Sequence, residues 1–267
     1  MSSAAAPGVI PSLVVVGRGR IGTMAADLAL RARVPVTLIG RADDPRPVSE
    51  PNPGRPILVC TRNDDLDGLI GDVHPDNRPD LVFVQNGMLR PWLAEHGLLD
   101  NTQGLLYVAV PRVGARPQPG GDSVFWGPWA PELAELFASN GIAARALADR
   151  GAFQREIAVK FIWNAVLGLL GEATGRAVGE ICVERRADVE GLCAELAPVL
   201  ARALDVSLPV RPLTATILEY SATIPDYRAS LKEWRWRNGW LVDEAAAQGV
   251  AMPRHAAWLA RARSGGG

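Results

Sequence analysis

The sequence predicts an α/β protein in two parts, a doubly wound sheet followed by an all-α domain, and three observations carry the prediction. Short apolar runs rich in β-branched residues recur over the first half, at 13–16, 36–39, 57–60, 81–84 and 105–110. They are apolar throughout rather than alternating, which is the pattern of parallel strands covered on both faces. A glycine-rich turn at 17–22 leaves the first run and opens a helical pattern at 21–31. From Asp149 onward strand signals nearly vanish, and long helical patterns replace them.

Taken in order, the first eleven residues are small and polar and predict a loose leader. The first two strands lie within the spacing of one βαβ unit, so they pair in parallel. Residues 111–127 break into short segments separated by Gly and Pro and end in Ser123-Val124-Phe125-Trp126, which predicts an antiparallel hairpin closing one edge of the sheet. Helices are predicted at 153–170, 189–204, 213–221 and 231–248. The organisation is therefore a leader at 1–11, a sheet domain at 12–150 and a helical domain at 151–263, with a frayed end at 264–267.

Composition excludes several classes. With 267 residues, a formal net charge of −1 and 21% charged residues, the chain exerts no global pull on nucleic acid or an anionic membrane. Cys60, Cys182 and Cys193 are odd in number and widely spaced, which predicts neither a disulfide framework nor a zinc site. The N-terminus lacks a secretory pattern and no apolar run is read as reaching membrane-spanning length, so the expectation is a cytoplasmic protein. His74, His96 and His255 are isolated and lack ligand spacing. The run 232–240 interleaves Arg235 and Arg237 with Trp234, Trp236 and Trp240. It is expected to be an amphipathic helix with packed tryptophans and solvated arginines, at a dimer or domain interface, rather than a nucleic-acid surface.

The turn Gly17-Arg18-Gly19-Arg20-Ile21-Gly22 fits the dinucleotide fingerprint of a Rossmann domain, and its setting between strand and helix fits too. Gly17 allows the sharp turn, Gly19 admits a pyrophosphate and Gly22 lets helix and strand pack closely. The second strand ends Ile39-Gly40-Arg41, without the acid that would accept ribose hydroxyls. Arg41, with Arg18, Arg20 and Arg62, suits a 2′-phosphate, so NADPH/NADP is the expected cofactor.

Lys160 and Asn164 are four apart on the predicted long helix and share a face, with Gly168 one step further and open space expected beyond it. Spacing alone leaves two readings level: a catalytic pair, or a solvated Glu156–Lys160 pair at i, i+4.

These segments resemble the ketopantoate reductase (2-dehydropantoate 2-reductase) family over roughly 13–263. The resemblance rests on the glycine turn with Arg41, Gln85-Asn86-Gly87, Lys160-x-x-x-Asn164, and Glu233 with Asn238-Gly239. It implies NADPH-dependent reduction of a small 2-oxo acid, ketopantoate to pantoate, in pantothenate biosynthesis, by a monomer or homodimer. In its terms Lys160 is the general acid and Glu233 its acidic partner. Asn86 lies at the nicotinamide end beside Gln85, and Asn164, Ser221 and Asn238 bind substrate. Two departures stand out: Gly168 occurs where many members carry asparagine, which implies a wider pocket, and Arg62 occurs where lysine is usual. They motivate the alternatives of a bulkier carbonyl or imine substrate, or of a non-catalytic NADP-binding sensor.

Overall fold

The computed structural model describes residues 8–264, so residues 1–7 of the expected leader and 265–267 of the expected frayed end lie outside the described residues. Ile10, inside the predicted leader, is buried in the core of the sheet domain. The chain separates into two compact units, one up to Arg150 and one from Gly151.

The first unit runs β1 (Leu13–Val16), α1 (Arg20–Arg31), β2 (Val36–Ile39), α2 (Arg46–Ser49), β3 (Ile57–Val59), α3 (Leu66–Asp72), β4 (Leu81–Phe83) and α4 (Arg90–Glu95). It continues through β5 (Thr102–Leu105), β6 (Val108–Ala109), β7 (Gln118–Pro119), β8 (Ser123–Trp126), α5 (Ala130–Ala138) and β9 (Ala144–Ala146). Seven strands form one sheet in the order β2-β1-β3-β4-β5-β8-β9. The first five are parallel to one another, β8 is antiparallel to β5, and β9 is parallel to β8. This is the doubly wound architecture the apolar runs predicted. Strand β1 lies between β2 and β3, so the winding reverses direction there, and open α/β sheets bind ligands beyond the carboxyl ends of strands at such a reversal.

Two strand expectations are corrected. The sheet strand near 105–110 is Thr102–Leu105, a polar segment, while Val108 and Ala109 pair with Gln118 and Pro119 in a separate two-stranded sheet. Tertiary context overrides propensity here. The Thr102 hydroxyl accepts the Trp129 N–H at 2.8 Å, and a Cβ at Gly104 would meet the Phe125 ring at 2.6 Å. The hairpin segment does supply β8 on β5, but the sheet edge is β9, a strand too short and too polar to register as an apolar run.

The second unit is helical: α6 (Arg150–Thr174, whose first residue closes the first unit), α7 (Val178–Glu184), α8 (Arg186–Leu204), α9 (Val210–Thr223), α10 (Asn238–Gln248) and α11 (Pro253–Ser264). Helix α6 is buried almost all round from Phe161 to Gly171, the signature of a central helix. It is also long and apolar enough to cross a membrane by length and composition, which corrects the expectation that no segment is; 61% of its most apolar window is buried within the structure.

The expected helix at 231–248 is corrected as well. Residues 225–233 are non-helical, Trp234–Trp236 form a 3₁₀ turn, and the helix starts only at Asn238. The cause lies on α6: a Cβ at Gly168 would stand 2.9 Å from the Ser230 carbonyl oxygen, and one at Gly171 only 2.2 Å from that of Ala229. The two glycines form a trough in which the backbone of 229–231 lies directly on the helix. Backbone bonds from Val178 to Tyr227 and from Gly179 to Pro225, and a bond from the Leu231 amide to Glu172 Oε2, pin the segment in place.

Candidate active site

The glycine turn is built for close approach. Gly17 has φ +114°, and a Cβ there would lie 2.8 Å from the Cys60 carbonyl group at the end of β3, so only glycine fits. At Gly22 a Cβ would sit 1.8 Å from the Gly17 carbonyl oxygen, so the loop and the first turn of α1 pack in contact. Gly19 faces open space, is the N-cap of α1 and makes no side-chain cap, and the first turn carries no acid. Uncapped N–H groups, a positive helix end and clear space beside Gly19 are what a pyrophosphate needs, so these residues fit a dinucleotide. Arg20 extends from this turn to the Val110 carbonyl, and Ile21 packs against the sheet core.

The end of β2 holds more than its sequence suggested. Asp43 folds back so that its carboxylate accepts the Gly40 N–H at 2.7 Å and the Arg18 Nε–H at 2.5 Å. The Gly40 amide, then Arg18, hold its pKa below the usual carboxylate value. An acid is therefore present at this strand end after all, four residues beyond Ile39, where a reading of the strand terminus alone misses it. Arg41 is largely exposed and pairs with Asp65 at 2.7 Å, while Arg62 is exposed at the start of the turn that carries Asp65. The neighbouring loops are tied together by side chains: Gln85 Nε2 donates to Val59 and Thr61 carbonyls, and buried Asn63 donates to the Asn86 carbonyl.

The helical unit gathers its own cluster. Lys160 is half-buried on α6, and burial first, then the charge of Arg237, lowers its pKa to about 7, while Glu233 pulls the other way. Asn164 donates from Nδ2 to the Lys160 carbonyl and accepts at Oδ1 from Arg237 Nη1 at 3.3 Å. Arg237 Nη2 is 2.6 Å from Glu233 Oε2. Glu233 has φ +50° and ψ +49°. The other non-glycine residues at positive φ among those described, Arg33 and Asp205, sit just past helix ends where that conformation is common. Glu233 has no such excuse, and strain of order 1–3 kcal/mol is typical of residues whose position matters more than their comfort.

Other expected substrate ligands are placed differently. Ser221 is fully buried, donates to the Ile217 carbonyl at 2.7 Å and accepts from Trp163 Nε1 at 3.0 Å, so its hydroxyl is committed to the helical core. Asn238 is 1% exposed, and its amide nitrogen bridges the Ala165 carbonyl and His255 Nε2, joining α6, α10 and α11. Burial lowers the His255 pKa to about 4, so the ring is neutral. The expected open space beyond Asn164 is corrected: the backbone of 229–231 fills it at Gly168.

No family model matches the sequence, and no curated protein matches it either. Solved structures do. A PanE/ApbA family ketopantoate reductase from Ralstonia eutropha superposes with a TM-score of 0.72 at 21% identity, over 94% of this chain and 97% of that one. The chain has the ketopantoate reductase fold. A dimeric ketopantoate reductase from Staphylococcus aureus matches with a TM-score of 0.70 at 17% identity, over 95% and 98% of the two chains. D-mandelate dehydrogenase in complex with NADH matches with a TM-score of 0.71 at 16% identity, again over 95% and 98%. Within the ketopantoate reductase fold, sequence reasoning missed two residues, Asp43 and Arg237. A short search past the end of β2 could have found Asp43, whereas nothing in the Trp/Arg run marks Arg237 as the arginine that turns inward.

Proposed function

We propose that the chain is an NADPH-dependent oxidoreductase that reduces a small 2-oxo acid to the 2-hydroxy acid, with ketopantoate, giving pantoate, as the leading substrate. The observation that carries this reading is the lysine held near neutrality beside a strained glutamate and an asparagine. The cofactor supplies a hydride to the carbonyl carbon. The part of this chain is to deliver a proton to the oxygen as negative charge develops there, and an ammonium with a pKa near 7 is matched to that task. Lys160 is the acid in this reading, and Glu233 orients it and the substrate hydroxyl. Asn86 and Asn164 present amides to substrate, while Ser221 and Asn238 hold α6 and α10 in position. The glycine turn, Gly17 to Gly22, holds the pyrophosphate, Gln85 and Asn86 lie at the nicotinamide end, and Arg41 and Arg62 lie at the adenosine end. The bulkier-substrate alternative loses one of its two motives, since the backbone at Ser230 occupies the room that Gly168 was expected to free, and keeps only the Arg62 departure. Homodimer assembly belongs to the same reading, supported by the dimeric neighbour and by the exposed Trp234 and Val242 along an apolar groove.

NADPH consumption with a panel of pyruvate, 2-oxo-3-methylbutanoate, ketopantoate and phenylglyoxylate tests the reading. The expected result is stereospecific 2-hydroxy acid with the highest kcat/KM for ketopantoate. Tight NADPH binding without turnover on any of them would favour the sensor alternative.

NADH is a second reading for the cofactor, favoured by Asp43 at the end of β2. A 2′-phosphate would draw Arg18 and Arg41 from their carboxylates, whereas a 2′-hydroxyl would donate to Asp43. The expected outcome is preference for NADPH, lowered about tenfold by Arg41→Ala and raised by Asp43→Asn, measured as dissociation constants for both dinucleotides by fluorescence titration.

A further inference from the structure

Arg237 has no role in the reading above, yet its surroundings are costly to build. It is 8% exposed, and its Nε–H is buried with no hydrogen-bond partner. Its terminal nitrogens meet Glu233 and Asn164, the same two residues that flank Lys160. A buried guanidinium is normally balanced and saturated, because leaving charge or donors unmatched in the interior is expensive. Glu233 is both the carboxylate on Arg237 and one that acts on Lys160, so Arg237 shares its counter-charge and keeps a donor that no oxygen accepts. An incoming carboxylate supplies that acceptor, and a planar guanidinium is the side chain best shaped to take one.

Building on the reductase reading, we infer that Arg237 is the anchor for the substrate's carboxylate, so that this site selects 2-oxo acids over uncharged carbonyl compounds. The bound carboxylate supplies the acceptor that the Arg237 Nε–H lacks and a second negative charge beside Arg237. It also offsets the repulsion from Arg237 that helps keep Lys160 neutral, so the acid substrate brings the lysine into its protonated, proton-donating form. A carboxamide of the same shape does neither.

The test compares 2-oxo-3-methylbutanoate with 2-oxo-3-methylbutanamide. In the unaltered protein the acid is expected to exceed the amide in kcat/KM by roughly 100-fold, and Arg237→Gln to cut that ratio by roughly 10- to 100-fold, with Arg237→Lys between them. With the acid, the alkaline limb of the kcat profile lies at higher pH than that of kcat/KM, because kcat reports the complex and kcat/KM the free protein; with the amide the two limbs coincide. This readout needs no variant, so a folding defect in Arg237→Gln, checked by circular dichroism, does not block the test. An unchanged acid-to-amide ratio in folded Arg237→Gln, or coincident limbs with the acid, overturns the assignment while leaving the reductase reading intact. If neither compound nor any acid of the panel above is reduced, the reductase reading fails. Tryptophan fluorescence titration then decides the anchor: binding of the acid but not the amide, lost in Arg237→Gln, supports it, and equal binding sinks it.

Discussion

Lys160→Ala is expected to lower kcat for 2-oxo acid reduction by about 10²- to 10⁴-fold while leaving NADPH affinity within a factor of about two, the usual span for loss of a general acid. The reason is local. The lysine sits half-buried with its pKa pulled from 10.5 to about 7, first by burial and then by Arg237, so near neutral pH it both holds and surrenders a proton. Reduction uses the ammonium form, so kcat/KM falls as pH rises through about 7; oxidation of the 2-hydroxy acid uses the neutral amine and rises over the same interval. Steady-state rates in both directions, with NADPH affinity by fluorescence titration, check this, and a Lys160→Ala protein retaining its reductive pH limb would remove Lys160 from the role.

Stability responds with the opposite sign to a salt-bridged lysine. Between pH 7 and 10.5 the unfolded chain holds a proton on this group that the folded chain has released, so its contribution to stability rises with pH across that window and is at its worst below pH 7. Lys160→Met therefore keeps or raises the thermal midpoint at neutral pH, which separates loss of chemistry from loss of fold.

Gly168→Asn, which restores the residue common in the resembling family, is expected to reduce activity rather than improve it. The Cβ alone would stand 2.9 Å from the Ser230 carbonyl oxygen, and the amide adds three more heavy atoms where the backbone of 229–231 already lies. The segment must lift from α6, which displaces Glu233 two residues on and weakens the Leu231–Glu172 bond. Overpacking of this kind costs about 1–3 kcal/mol, and the displaced glutamate and its Arg237 partner are expected to lower kcat about 10- to 100-fold. Thermal denaturation and steady-state rates measure the two effects; a fully active, equally stable variant would show that the trough at Gly168 does not position Glu233.

The doubly wound sheet, the glycine turn and a long helix over 153–170 were legible before folding, because each is written in local pattern: unbroken apolar strands, a fixed glycine spacing and helical spacing of apolar positions; that this helix is buried nearly all round was not. Spacing placed Lys160 and Asn164 on one helical face, since four residues make about one turn, but left a catalytic pair level with a solvated Glu156–Lys160 pair, and only the family resemblance favoured the first. The remaining features depend on contacts between distant segments, which local pattern does not encode. The polar strand Thr102–Leu105 is held by Trp129 and Phe125, Asp43 folds back onto Gly40 and Arg18, and Ser221 and Asn238 turn into the helical core. The break at 225–233 exists because two glycines sixty residues away admit a backbone, and that break, not any helical periodicity, brings Glu233 and Arg237 to Lys160. Periodicity reports which face a residue occupies only while the helix continues; where another segment's backbone interrupts it, the pattern carries no information about where the side chains go.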